Sequence, residues 1–243
     1  MNSTVFTLTL RQIAGQRRSL FLFLLALVPV AIAIIYRLGE HADQHEETAS
    51  FLADFVVTVI LPLACLILGT SALGSEIEDG TAVYILAKPV PRRETVGAKF
   101  AASALVAAAF VVPATAISGL IGLHGVSEEG IATGFAIATL VGVFAYTAIF
   151  ILLSVATSRA LLFGIAYVFI WEGLITQLFS GTRYLSIREY CLGIADLIAG
   201  VSKQDFEADL GGVEGLVLAA VVAATALVLA VRRLQTFELT GTD

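Results

Sequence analysis

The chain reads as an all-α integral membrane protein of six transmembrane helices, on three observations. Of its 243 residues 58% are hydrophobic and only 14% charged, where a soluble domain carries about 25% charged residues. Mean hydropathy is +0.93. Apolar runs of about 20 residues, the helical length that crosses ~30 Å of hydrocarbon, recur between short polar passages. Residues 1–243 form one transmembrane domain, with spans at about 19–38, 51–73, 95–123, 131–156, 160–179 and 213–231.

Taken in order, residues 4–18 place Phe6, Leu10 and Ile13 on one helical stripe, although Phe6, Leu8 and Leu10 also fit a strand's alternation. We read an N-terminal helix lying in the membrane interface, with Arg11, Arg17 and Arg18 on its wet side. Ala31-Ile32-Ala33 could pass for a signal-peptide cleavage site, but the apolar run continues to Tyr36, which argues against cleavage. Span 2 holds Pro62 and span 3 holds Pro113, both far from water, and Pro62 predicts a kink. In span 4, Gly130-x-x-x-Gly134 and Ala138-x-x-x-Gly142 permit close helix packing, though small residues are too common in membrane helices to imply an oligomer contact. Between spans 5 and 6, Tyr184, Ile187, Tyr190 and Ile194 follow helical spacing, and the apolar stretch Leu192–Val201 is too short to span. Short re-entrant helices dipping in from the outer face fit that pattern. Cys65 falls inside a span and Cys191 in an outer segment, so no disulfide is expected between them.

Six spans put both termini on one side, and the excess of Lys and Arg selects the cytosol for it. Arg11, Arg17, Arg18, Lys88, Arg92, Arg93, Lys99, Arg159, Arg232 and Arg233 are then internal, ten of the 14 basic residues. Arg37, Arg183, Arg188 and Lys203 are external, and the outer loops are acidic at Glu40–Glu47 and at Glu128 with Glu129. The net charge of -6 carries little information beside this sidedness. Nucleic-acid binding has no support, since no basic face is interleaved with aromatics.

The longest charged passage between two apolar segments runs from Gly74 to Phe100. Ser75 followed by Glu78 has the spacing of a capping box and predicts a helix start. Glu76, Glu78 and Asp79 sit at the positive end of that helix's dipole, and Ile77, Thr81, Tyr84 and Ile85 share a face. Lys88 occupies the last turn before Pro89 and Pro91 stop the helix. The result is a short amphipathic helix, a handle between spans 2 and 3. A basic hairpin alone would mean only topology, but this ordered series of signals points to a docking role.

Glu172 is the one acid well inside an apolar run, and an ionisable group at that depth is by default a functional hypothesis. The alternative is that the span ends early, Trp171 marks the interface, and Glu172 pairs with Arg183 or Arg188. His41 and His45, with Asp43, Glu46 and Glu47, have a spacing that can hold a metal, but a solvated acidic loop explains them better and no metal is expected. No span contains a histidine, and no Gly-x-Ser-x-Gly elbow is present, which speaks against an intramembrane hydrolase. The phosphate-cradling G-x-x-x-x-G-K-[ST] pattern is missing as well, since Gly97-Ala98-Lys99-Phe100 lacks the upstream glycine and the hydroxyl. The chain is therefore not expected to hydrolyse ATP or to act as an enzyme, and it needs no cofactor of its own.

The passage Gly74-Ser75-Glu76-Ile77-Glu78-Asp79-Gly80-Thr81 with Tyr84-Ile85-Leu86-Ala87-Lys88-Pro89-Val90-Pro91-Arg92-Arg93 resembles that of ABC-2 type ABC transporter permease subunits, the group including NosY-like and drug-exporter permeases. The interfacial helix, the six spans, the re-entrant helices, Trp171-Glu172-Gly173 and Arg183-Tyr184-Leu185-Ser186 are similar too. The resemblance implies that the passage is a coupling helix seated on a separate ATP-binding subunit. Glu76, Glu78, Asp79, Gly80, Thr81 and Tyr84 would face that ATPase, with Arg92 and Arg93 at its margin. It further implies an exporter, with ATP and Mg held by the partner chain. A second permease chain, identical or related, would complete the pathway in the cytoplasmic membrane of a prokaryote, with membrane lipid around it. Two other readings stay open at this stage: a stand-alone ion-coupled carrier using Glu172, and a membrane anchor or assembly factor.

Overall fold

In hydrocarbon a backbone N–H or C=O finds no water, so apolar runs of this length satisfy their own hydrogen bonds as helices. A computed structural model of the chain describes residues 6–10, 17–39, 44–78, 91–123, 130–178, 180–199 and 208–235, and the regular structure among them is entirely helical. Residues 6–10 are helical, in agreement with an N-terminal helix, while Arg11 lies outside the described residues. Helix α1 spans Arg17–Arg37. Next come α2 (Gln44–Phe51), a π-helical segment (Leu52–Ile60) and α3 (Leu61–Glu78), joined without a break. Helix α4 is Arg92–Gly122 and α5 is Ile131–Ala156. Helix α6 (Ala160–Ala166) continues into a second π segment (Tyr167–Ile175) and a last turn at Thr176–Leu178. A 3-10 turn (Ser180–Leu185), α7 (Ile187–Ala199) and α8 (Gly212–Gln235) complete the order.

Among the described residues, five helices are long and apolar enough to cross a membrane by length and composition: Ser19–Arg37, Gln44–Gly74, Arg92–Gly122, Ile131–Ala156 and Gly212–Gln235. The fifth expected span is a shorter apolar helix, Ala160–Ile175. With the last turn to Leu178 the helix reaches about 28 Å at ~1.5 Å per residue, close to the ~30 Å core. The expected outer loop after span 1 is shorter than its acidic composition suggests, because His45, Glu46 and Glu47 belong to α2. His41 and Asp43 lie outside the described residues. At Pro62, where a kink is expected, the structure has a π segment directly before the proline. The Leu61 N–H donates to the Val56 carbonyl, five residues back, and Pro62 has no N–H to restore the α register. Pro113 lies inside an unbroken α4.

The expected helix start at Ser75 is corrected: α3 carries on through Ser75 to Glu78, so Ser75 lies inside a helix and no helix begins there. Extending an existing helix by a turn costs far less than nucleating a new one. Asp79, Gly80, Thr81, Tyr84 and Lys88, and with them most of the handle, lie outside the described residues.

Helix α5 is the post of the bundle, in contact with α3, α4, α7 and α8. Its Phe135, Tyr146 and Phe150 are fully buried, with Tyr146 stacked on Phe150 at 6.0 Å and Phe150 edge-on to Tyr167 at 6.2 Å. The small residues noted in the sequence serve this packing. A Cβ on Gly134 would stand 2.9 Å from the Ala195 carbonyl oxygen of α7, and one on Gly142 would stand 2.6 Å from the Cys191 sulfur. Both stripes are thus filled within the chain. Cys65 and Cys191 are free and buried.

Gly134→Ala should destabilise the protein by about 1–3 kcal/mol, since α7 backbone must shift to admit the methyl. Gly97, with nothing within 4 Å of its missing Cβ, should accept Gly97→Ala with a gain of up to about 1 kcal/mol from helix propensity. Equilibrium unfolding in mixed micelles measures both.

Candidate functional site

Two polar constructions lie at opposite ends of the bundle. At the handle end, α3 finishes and α4 starts against a small apolar cluster that also takes in the ends of α5 and α8. Ala72 and Leu73 of α3, Val96 of α4, Ile151 and Val155 of α5, and Ala230 and Leu234 of α8 pack together there. Lys99, read from the sequence only as a marker of sidedness, is 1% exposed and donates from Nζ to the Ala72 carbonyl oxygen. Burying an ammonium is costly unless donors and acceptors meet, so this contact ties α4 to α3 below the handle. Glu76 and Glu78 stand on the last turns of α3. Arg92 and Arg93 open α4, where Pro91 forms the N-cap and its carbonyl accepts from the Glu94 N–H at 2.9 Å. Arg93 is exposed and Arg92 half-buried. The sequence-derived docking residues that are described therefore frame both ends of the handle.

At the other end stands Glu172, 1% exposed. It lies in the second π segment, where residues five apart come into register, and the Tyr167 hydroxyl donates to its Oε1 at 2.8 Å. The Ile187 N–H donates to the same oxygen at 2.9 Å, the Ser186 hydroxyl donates to Oε2, and the Arg188 N–H faces the carboxylate. Ile187 and Arg188 are the first residues of α7, so the carboxylate sits on the positive end of that helix and satisfies N–H groups with no partner inside it. Ser186 caps the same helix, its oxygen accepting from the Glu189 N–H at 3.3 Å. Trp171 adds a bond from its indole N–H to the Leu185 carbonyl at 3.3 Å.

Neither guanidinium considered as a partner pairs with Glu172; Arg188 meets it only through its backbone N–H. Arg183 pairs with Asp209 at 2.7 Å. Arg188 turns instead to the first π segment, donating from Nε to the Thr58 hydroxyl at 2.7 Å and from Nη2 to Asp54 at 3.1 Å, and it pairs with Glu189 at 2.7 Å. The start of α7 is thus held by both π segments, by its backbone to one and by Arg188 to the other. Besides the depth of Glu172, the sequence carried a further signal for this site: Ser186-Ile187-Arg188-Glu189 repeats the S-x-x-E capping pattern. The Arg188 link to Asp54 and Thr58 joins residues far apart in the chain and has no local signature.

A family model of ABC-2 family transporter proteins matches residues 16–176, well over half of the chain. The chain belongs to the ABC-2 transporter family. The matched stretch runs from the start of α1 to Thr176 and takes in the handle, its apolar cluster on α3, α4 and α5, and Glu172, while α7 and α8 lie beyond it. No curated protein matches the chain. As an ABC-2 permease it is a membrane protein of transport, from a family whose membrane subunit is typically non-enzymatic and normally works with an ATP-binding subunit. The carboxylate of Glu172 is engaged by its neighbours as a brace between helices.

Arg188→Leu should destabilise this permease by about 3 kcal/mol, chiefly because Glu189, 5% exposed, is left as an unpaired buried charge. Adding Glu189→Gln should recover at least half of that, and the two-variant comparison in mixed micelles checks it. The Asp54 arm, with a side chain 73% exposed, contributes little.

Proposed function

We infer that the chain is the permease subunit of an ATP-driven exporter, and that a separate ATP-binding subunit grips the handle between α3 and α4. The observation that carries this reading is the apolar cluster below the handle, where α3, α4, α5 and α8 share one packed base. A packed base of this kind moves as a unit when its edge is pushed, since close-packed interiors transmit displacement rather than absorb it. Closure of a nucleotide-bound ATPase pair would then tilt four helices together and alternate access to the pathway. In this reading Glu76, Glu78, Asp79, Gly80, Thr81 and Tyr84 face the ATPase, with Arg92 and Arg93 at the margin, and ATP and Mg stay on the partner. Two permease chains complete the pathway, and both termini face the cytosol of a prokaryotic cell.

Charge reversal at Glu76→Lys with Glu78→Lys tests it. The variant should insert and resist unfolding as the unchanged chain does, yet lose co-purification of the ATPase encoded beside it and the ATPase stimulation that the complex gives. Full retention of that complex and its stimulated hydrolysis would overturn the docking assignment.

A further inference from the structure

The helical stretch that continues α6 has two registers open to it, and its apolar pattern suits the one that the structure does not adopt. Through the second π segment and its last turn the buried positions are Val168, Glu172 and Thr176, four apart. That spacing belongs to a helix with more residues per turn than the α-helix's 3.6. Continued as an α-helix from Val168, the buried line at three, seven and ten residues on would fall on Trp171, Ile175 and Leu178. Every member of that line is apolar. The π register instead buries a carboxylate and a hydroxyl, leaves Trp171 and Ile175 half-buried, and turns Leu178 out to 66% exposure.

What selects this register lies outside the segment. The first π segment ends at Pro62, whose missing N–H removes an α-type bond, but no proline follows Pro113 in the chain. Within the second segment two bonds join residues five apart: the Thr176 N–H donates to the Trp171 carbonyl, and the Tyr167 hydroxyl to Glu172. The other donors to that carboxylate, the Ser186 hydroxyl and the N–H groups of Ile187 and Arg188, all belong to the start of α7. A costly backbone conformation lasts only where its surroundings over-determine it, and here the surroundings are one helix end. On the other side Gly164 seats α6 against α3, with no room for a Cβ beside Leu66, so a change of register is taken up beyond α6. We propose that Tyr167–Leu178 is a register switch, π while the first turn of α7 holds Glu172 and α when α7 withdraws. In the α register Glu172 and Thr176 turn off the buried line, and Trp171, Ile175 and Leu178 turn onto it. Withdrawal of one short helix end thus carries an acid around the helix.

Cysteine reactivity toward N-ethylmaleimide tests the switch on the full chain in mixed micelles. Thr176→Cys and Leu178→Cys are made separately, and the buried Cys65 and Cys191 supply a background measured in the unchanged chain. Ser186→Ala with Ile187→Pro loosens the hold from the α7 side, since it removes a hydroxyl and an N–H that bond Glu172, and proline is accepted at the first position of a helix. With that pair in place the thiol of Thr176→Cys should react about tenfold faster or more, as the loss of two hydrogen bonds shifts a two-state balance. The thiol of Leu178→Cys should react more slowly. Tyr167→Phe keeps the ring and α7 and deletes only a bond between residues five apart, so it should move both sites in the same directions by a smaller factor. A rise at one site with a fall at the other is the mark of rotation. Faster reaction at both sites means that the segment frays, and overturns the proposal. Unchanged reactivity of Thr176→Cys in both backgrounds overturns it equally.

Discussion

Burying a carboxylate costs several kcal/mol unless donors surround it, and the end of the bundle opposite the handle is arranged around how Glu172 obtains them. A helix N-terminus offers N–H groups without partners and a favourable dipole, so α7 docks with its first residues on the acid. Tyr167 reaches it because the π turn brings residues five apart into line. The 3-10 turn that follows brings Ser186 and the start of α7 back onto the same acid. Arg188 then fastens the assembly to the π segment that Pro62 forces on the second span. Each irregularity at this end has an identified cause and answers another.

Helix α5 connects this end to the handle. Its middle holds the Tyr146 and Phe150 stack, its first half lies against α7, and its last turns enter the apolar cluster beside Ala72 and Val96. Force applied between α3 and α4 meets a packed base, while the far end is held by directed polar bonds. In the proposed reading, a partner pushing on the handle would move the helices of the packed base together, while the polar bonds at the far end hold α7 in place.

Much of this was legible in the sequence. The apolar runs located the helices, because a helix satisfies the backbone in hydrocarbon, although the second runs further at both ends, from Gln44 to Glu78, than its apolar run predicts. Glu172 stood out by its depth, and Pro62 by its missing N–H. The misreadings have physical reasons. Ser75 and Ser186 carry the same S-x-x-E pattern, and of the two positions a helix begins at Ser186 and not at Ser75, because a preceding helix runs uninterrupted through Ser75. A local bond worth about 1 kcal/mol cannot stop a helix already propagating. Lys99 looked like a surface marker because a lysine near a span end usually is one, and the buried carbonyl of Ala72 that receives it is supplied by another helix. The link from Arg188 to Asp54 and Thr58 crosses more of the chain than any periodicity reports.

The claim that Glu172 acts as the brace on which α7 is built is tested most directly by amide hydrogen exchange on Glu172→Ala. The amides of Ile187, Arg188 and Glu189 should exchange at least about tenfold faster than in the unchanged chain, as expected for loss of bonds worth ~1.4 kcal/mol or more, while the middle of α5 keeps its protection. Unchanged protection at the start of α7 would contradict it.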